Sequence, residues 1–404
     1  MGEQPTATPA PRGSQAAALR ALRAGSGLTV TELMAATDLS RPTIHAACEE
    51  LVRAGLALET EAPSRPATRG RPPRSFSFNA RATYVLGVDV GATSVRSMLT
   101  DLGTHILGEA ETTGLSADLS AAERISVIRT CMRRSMSTAG VRASDITSVG
   151  VGMPAPVRLD RRVIALPDYL RDLPDADIAA ALAESTTWNV LIENDANLAG
   201  LAETRIGAAQ GQTDVITVLA GERLGAGVIL DGRLLRGAGG ATGELSFARL
   251  IEGVDGAYGI GMLARTFGQR AATDESTSTA LQDRCDGDPA DLTSEDVFRC
   301  AAEGDRIAQD CIHRATGQVA RILEVLQLAL DPATIVMSGG IAQAPGVLDA
   351  LRAHAPLLPE SELHPPTIVG STLAHRAVAT GAATLAIEDV WSRLTADPML
   401  LVSQ

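Results

Sequence analysis

Four short stretches carry side chains whose types and spacing could do chemistry. In "GVDVGATSVR", Asp89 stands just ahead of Gly91 and Thr93. A carboxylate followed by a small-residue turn can bring backbone N–H groups and a hydroxyl to a phosphate, with Asp89 turned towards a metal. In "NVLIENDANLAG", Asn194 and Asp195 sit where a β-like run gives way to a helix. Polar residues at the carboxyl end of a strand are where α/β proteins hold their ligands. "GAGGATGELSF" is a glycine-rich loop ending on Glu244. "LAGERLGAG" is a glycine-rich turn between two β-like runs, a shape suited to a phosphate, yet Glu222 and Arg223 lie between Gly221 and Gly225. Any one of these would pass for an ordinary hairpin or helix cap, since Asn and Asp cap helices often.

The elements around them read as buried strands alternating with helices. "TYVLGVDV", "ITSVGVGM", "DVITVL" and "ATIVMS" are rich in β-branched residues, and "GAATLAIEDVWSRL" closes the chain as a helix. Hydrophobic residues make up 45% of the 404 but aromatics only 2%, so Ala, Leu, Val and Ile must build the core. No apolar run reaches 18 residues, so no membrane helix is expected. The N-terminus lacks the apolar core of a secretory signal. Five scattered cysteines, an odd number without CxxC spacing, suit reduced thiols in a cytoplasm rather than disulfides or zinc.

The net charge of −13 is unevenly spread. Residues 1–80 hold nine Arg against seven acidic residues, so the acidic excess lies entirely in the rest. A mildly basic head on an acidic body points to the head as the part that meets a polyanion. Residues 1–14 read as a disordered leader and 15–80 as a winged helix-turn-helix. Thr29 or Thr31 can cap the second helix, and Ser40 the third, with Pro42 in its first turn. That third helix would present Ser40, Arg41, Thr43 and His45 to a major groove. "LALET" and "SFSFN" alternate as wing strands. The stretch between them carries Arg69, Arg71 and Arg74 in a Gly/Pro frame that suits a minor groove. A solvated linker is the alternative reading of that arm.

In order and spacing, "GVDVGATSVR", "VGVGMPAPV", "ENDANLAGLAE", "LDGRLLRGAGGATGEL" and "IVMSGGI" resemble the ROK family of repressors, open reading frames and sugar kinases. The resemblance covers essentially the whole chain and includes the fused head carried by the family's repressor branch. It implies an α/β two-lobed actin-like ATPase fold preceded by a small α+β winged helix-turn-helix domain. Lobe one would span about 81–197 plus the C-terminal helix, and lobe two about 198–375. It also implies that Asp195 matches the general base of family kinases, and that Asn194 and Glu244 match residues bonding sugar hydroxyls.

The departures from the family pattern are specific. The family's Gly-His after the "GE" pair is absent: Phe247 stands at the histidine, and the cysteine cluster that completes a zinc site is missing from "ARLIEGVDGAYGIGMLART". Zinc needs about four compact N or S ligands, so no metal is expected. The second phosphate loop, normally Gly-Thr-Gly-Ile-Gly, reads Gly221-Glu222-Arg223-Leu224-Gly225. A carboxylate repels phosphate, and side chains obstruct close backbone approach. The first loop, Asp89, Gly91 and Thr93 included, is altered less. The expectation is a cytoplasmic DNA-binding regulator, a repressor in particular, which senses a sugar or related effector and does not use ATP as cofactor. It would act as a homodimer or homotetramer on a double-stranded operator, with no membrane partner. The alternative is an active ATP-dependent sugar kinase fused to a DNA-binding head; a purely structural interaction module is the third reading.

Overall fold

The structure is a computed structural model that describes residues 12–61, 74–116, 118–158, 163, 178–183, 186–274, 276, 278–285, 287–340, 344–354 and 365–398. Arg69 and Arg71 lie outside the described residues.

The head comprises α1 (Arg12–Ala24), β1 (Leu28–Thr29), α2 (Val30–Thr37), α3 (Arg41–Arg53), β2 (Ala57–Glu61) and β3 (Arg74–Phe78). Helix α1 starts ahead of the expected boundary at residue 15, because Ser14 and Gln15 are buried and the Gln15 amide donates to Glu50 of α3. Thr29 and Glu32 form a reciprocal capping box on α2, and Ser40 caps α3. Strands β2 and β3 pair antiparallel from Ala57↔Phe78 to Glu61↔Arg74 as the expected wing, with β1 on the other edge of β3.

Lobe one holds β4 (Tyr84–Val90), β5 (Ser94–Asp101), β6 (Ile106–Thr113), α4 (Ala121–Ala139), β7 (Ile146–Met153), α5 (Ile178–Ala183) and β8 (Asn189–Asn194). Its sheet runs β6-β5-β4-β7-β8, an antiparallel meander continued by two parallel strands. Helix α6 (Asp195–Arg205) leads out of it. Lobe two holds β9 (Val215–Ala220), β10 (Leu224–Leu230), β11 (Arg233–Leu235), α7 (Ile260–Ala272), α8 (Ser294–Ala302), α9 (Arg306–Leu330), β12 (Thr334–Ser338), α10 (Val347–His354) and β13 (Thr367–Gly370). Its sheet runs β11-β10-β9-β12-β13 and repeats the lobe-one pattern strand for strand. The run "VILDGRLL" breaks into a hairpin, because Asp231 and Gly232 adopt φ of 51° and 69°, as a tight two-residue turn requires.

The last helix, α11 (Ala377–Ala396), is buried along most of its length and joins all three parts. It packs on β4 and β7 of lobe one and on α6, which itself packs on β9 and β10 of lobe two. The contact is at backbone distance. A Cβ on Gly87 would lie 2.1 Å from the Ala379 carbonyl oxygen, and one on Gly150 2.0 Å from that of Ala382. Further along α11, Ala386, Ile387, Val390 and Trp391 enter the same core as Leu19, Leu33, Ile44 and Leu51 of the head. Trp391 stacks at 4.7 Å on Phe78 of the wing and lies 4.2 Å beneath the Arg23 guanidinium of α1.

Gly150→Ala is expected to lower unfolding stability by about 3 kcal/mol, since neither backbone can give way. Gly239→Ala, where an added Cβ meets nothing within 4 Å, should stay within about 0.5 kcal/mol of wild type. Denaturant titration of both variants distinguishes the two.

Candidate functional site

The two sheets present their strand ends to a common cleft. Asp89, Gly152 and Glu193 are in register across β4, β7 and β8 at those ends. The Asn194 side chain accepts from Asn197 N–H at 3.0 Å, capping α6, and donates to the Ala155 carbonyl at 3.2 Å. Both ends of its amide are thus engaged in structure, so its expected effector contact would have to share them. Asp195 is the first residue of α6, and one of its oxygens accepts from Ala196 N–H at 2.7 Å.

Three carboxylates converge here. Burial, then the charges of Asp89 and Glu244, push Asp195 up to about 7. Burial, with Glu111 adding and Arg96 opposing, pushes Asp89 up to about 6. Glu244 is more open; partial burial raises it and the nearby Arg223 guanidinium opposes the rise. Its backbone bridges Gly225 on β10, while Ala226 N–H donates to Gly243 O at 3.0 Å, so the Glu244 loop is bonded onto that strand. Gly243 must be glycine there: φ is 86°, and a Cβ would lie 1.7 Å from the Ala226 oxygen.

The turn between β9 and β10 is Gly221-Glu222-Arg223. Glu222 leans towards α7 and forms a two-pronged ion pair with Arg265 at 3.0 and 3.2 Å. Arg223 lies 5.6 Å over the Tyr258 ring. The backbone on either side is held as well: Leu224 N–H donates to Ala257 O, and Gly259 N–H to Glu222 O, both at 2.9 Å. A phosphate loop needs converging free N–H groups, and here the segment 257–259 lies against the turn. Beside it, Gly339 follows β12 with φ of 96°, its Cα packed against Ala220. In the first loop Gly91 N–H bonds Ser94 O, and Thr93 is exposed at the tip.

Where the family's zinc would sit, Phe247 packs against the lobe-two core, and all five cysteines are buried elsewhere. No cluster of three or more His, Cys, Asp or Glu with metal-holding geometry occurs among the described residues. The donor set does not fit zinc.

Three contacts at or beneath the cleft escape a motif reading. Glu193, 1% exposed, is paired with Arg236 at 2.7 Å, which ties the end of β8 to the chain after β11 across the lobes. The same carboxylate accepts from Asn197 at 3.0 Å. Arg124 of α4 is buried beneath the first loop and donates to the carbonyls of Ala92 and Ser116, both at 3.2 Å. The sequence signal for Glu193–Arg236 is only a charge at the end of each of two strands, and partners so far apart in the chain cannot be matched from it.

In the head, Arg41 is exposed at the start of α3, reaching Thr31 of α2 at 3.5 Å. Ser40 and Thr43 bond each other at 2.7 Å, and His45 is half-buried one turn on. Arg74 lies at the loop end of the wing hairpin, ion-paired with Glu59 at 2.6 Å and near Glu49.

This two-lobed fold with its converging carboxylates defines a sugar-kinase-like body behind a winged DNA-binding head, and residues 85–389 match the ROK family. The chain belongs to that family. Residues 10–65 match the MarR family, whose winged helix accounts for the head. The chain is 33% identical over 220 residues to the bifunctional enzyme NanE/NanK of Brucella suis, covering 54% of itself but only 39% of that protein's length. It is 24% identical over 348 residues to the DNA-binding transcriptional repressor Mlc of Escherichia coli, covering 80% of itself and 81% of Mlc. A solved ROK family transcriptional regulator, homologous to the E. coli MLC protein, superposes with a TM-score of 0.74 at 20% identity, covering 98% of this chain and all of that one. A Streptomyces griseus ROK glucokinase solved with glucose and AMPPNP gives 0.65 at 26% identity, over 76% of this chain and 99% of its own. No helix among the described residues is long and apolar enough to cross a membrane.

Asp89 and Asp195 titrate above the ordinary carboxylate value of about 4. The folded state therefore binds more protons than the unfolded chain between about pH 4 and pH 7. Their contribution to stability is fully present in acid and is lost as pH rises through 7. Asp195→Asn should flatten the fall of Tm between about pH 5 and 8 and raise Tm at about pH 8 by roughly 3 °C. Differential scanning calorimetry across that range is the check.

Proposed function

We propose that this chain is a DNA-binding transcriptional repressor whose kinase-fold body senses a carbohydrate or related small molecule without phosphorylating it. The observation that carries the reading is the double attachment of α11. One end of the helix shares the head's core through Trp391, and the other packs on α6, which begins at Asp195. A ligand that draws Asp195 and Glu244 together shifts α6, and α11 passes the shift to the head. The ligand need only bind one arrangement better than the other to change the population that grips DNA. Mlc, similar over four-fifths of this chain, is a DNA-binding repressor, which supports the reading.

In this proposal α3 enters the major groove with Arg41, Thr43 and His45 towards the bases and Ser40 at the cap. Arg69, Arg71 and Arg74 serve the minor groove, with Arg74 leaving Glu59 to do so. Two heads of a symmetric homodimer or homotetramer would read a palindrome. The effector is held by Asp195 and Glu244, with Asn194 fixing the start of α6. Neither zinc nor ATP takes part.

The second reading, an active sugar kinase with a fused head, is favoured by the retention of Asp89, Asp195 and Gly339 and by the resemblance to a glucokinase. Against it stands the β9–β10 turn, whose flanking backbone is bonded to residues 257–259 and whose Glu222 and Arg223 stand where a phosphate loop has small residues.

Selection of bound duplexes from a random pool by the full chain should return a palindrome. Arg41→Ala should weaken binding to it roughly tenfold or more. An ATP-coupled assay over a panel of sugars should give no turnover. Turnover that disappears in Asp195→Asn would establish the kinase reading instead. If an effector is found, its affinity should rise between about pH 6 and 8, because a hydroxyl donates to the ionised form of Asp195.

A further inference from the structure

Away from the cleft, a cavity of about 250 Å³ lies between lobe one and the root of α11. Met98 and Thr100 of β5 form one wall, on the sheet face turned to the helix. Thr380 and Thr384 of α11 form the facing wall, and Ile106 and Ile206 the rim. We propose that this cavity is a second binding site, for a small uncharged molecule with an apolar ring or chain and one hydrogen-bond acceptor.

Four observations converge on that class of ligand. The lining is mainly apolar, and the rim isoleucines are unusually open at 46% and 38% exposure, as expected of side chains that a ligand would cover. The Thr100 hydroxyl is buried, with no partner among the described groups. A buried donor left unmade is unfavourable, and its oxygen has almost no accessible surface, so a ligand's acceptor gains this bond as the β5 wall gives slightly to admit it. Of the other hydroxyls, Thr384 donates to the Thr380 carbonyl and Thr380 lies 3.8 Å from the Met98 sulfur, while Thr104 and Thr372 stand exposed at the mouth. The two basic residues at the mouth do not create a site for an anion. Arg376 is paired with Glu109 at 2.8 Å, and His375 is exposed, its carbonyl engaged by Arg96. Finally, the volume exceeds the roughly 150 Å³ that suffices for benzene, so one six-membered ring with a substituent fits.

The cavity also has a rigid frame. The Ser371 hydroxyl donates to the buried Glu203 of α6 and accepts from the N–H groups of Leu373 at 3.0 Å and Ala374 at 2.9 Å. Ala374 is held at φ of 53°, a conformation that costs a non-glycine residue energy and persists only where its surroundings enforce it. The loop that closes the cavity is therefore tied to α6. Ile387, also on the wall, belongs to the core that α11 shares with the head. A ligand here would sit between the cleft helix and the head without touching Asp195. The binding claim stands whether or not the body senses a sugar.

The test titrates cyclohexanol into the full chain labelled with ¹³C at the methionine methyls, Met98 being assigned through Met98→Leu. A saturable shift confined to the Met98 signal is expected. Thr100→Val, which keeps the shape and removes the donor, should weaken binding at least fivefold. Thr384→Leu, which fills the cavity, and Ile106→Trp, which blocks the exposed rim, should abolish the shift while the remaining methionine signals keep their positions. Ile106→Trp alters only a half-exposed side chain, so it remains informative should Thr384→Leu misfold. An unmoved Met98 signal, or a response equal in wild type, Thr100→Val and Ile106→Trp, would mean that the cavity holds only water, and would overturn the proposal.

Discussion

Much of this molecule depends on how closely α11 approaches its neighbours. Gly87 and Gly150 let the helix backbone touch the central strands of lobe one, and Gly381 sets it against α6, where a Cβ would fall 1.8 Å from the Leu198 carbonyl oxygen. On the other side of α6, Gly227 of β10 makes the same approach to the Ala196 carbonyl, at 2.2 Å for an added Cβ. Strand, helix, helix and strand are thus stacked at backbone distance at these glycines. Close-packed interiors transmit displacement because they have no slack to absorb it. A body assembled in this way cannot rotate one lobe against the other without moving α11, and α11 carries the floor of the head.

The cleft adds an electrostatic bias to that mechanical linkage. Burial makes both Asp89 and Asp195 resist ionisation, and the charge of Asp89 adds to the effect on Asp195. A bound cation would hold such a pair together. Without one, two ionised carboxylates repel, and a ligand offering hydroxyl donors relieves that repulsion. Glu193 and Arg236 act in the opposite sense: their ion pair bonds the end of β8 in lobe one to the chain after β11 in lobe two.

The fold and the cleft carboxylates were legible because they rest on local patterns. β-branched runs mark β4, β7, β9 and β12; a serine or threonine marks the caps of α2 and α3; and glycine-rich turns mark the loops. Asp89, Asp195 and Glu244 stand apart in the chain, but each lies in a motif of its own, and the structure places them in one electrostatic neighbourhood. What stayed hidden depends on pairings with no local signature. Nothing near Trp391 announces that it meets Phe78 and Arg23, over three hundred residues away along the chain in both cases. The engagement of Asn194 by Ala155 and Asn197 was likewise open to two readings from sequence, since an asparagine that caps a helix and one that holds a sugar look identical in a string of letters.

The turn at Gly221-Glu222-Arg223 carries two charged residues where the family pattern has small ones. Neither substitution is a loose end in this fold. Glu222 has a partner in Arg265, Arg223 has the Tyr258 ring on one side and Glu244 within electrostatic reach on the other, and Gly259 is glycine where any Cβ would strike the Gly221 carbonyl oxygen at 1.8 Å. Had the turn merely decayed, its charged side chains would be expected to project into solvent without partners. Instead the segment 257–259 closes over the turn and fastens it to lobe two, bonding backbone groups on both sides of the tip. The consequence reaches the cleft: Arg223 acts electrostatically on the Glu244 carboxylate, so this turn also bears on the charge of the proposed effector site. Restoring small residues at 222 and 223 would therefore do more than reopen a loop. It would remove the Arg223 cation, which opposes the upward shift of Glu244, and so alter the proposed effector site along with any nucleotide binding.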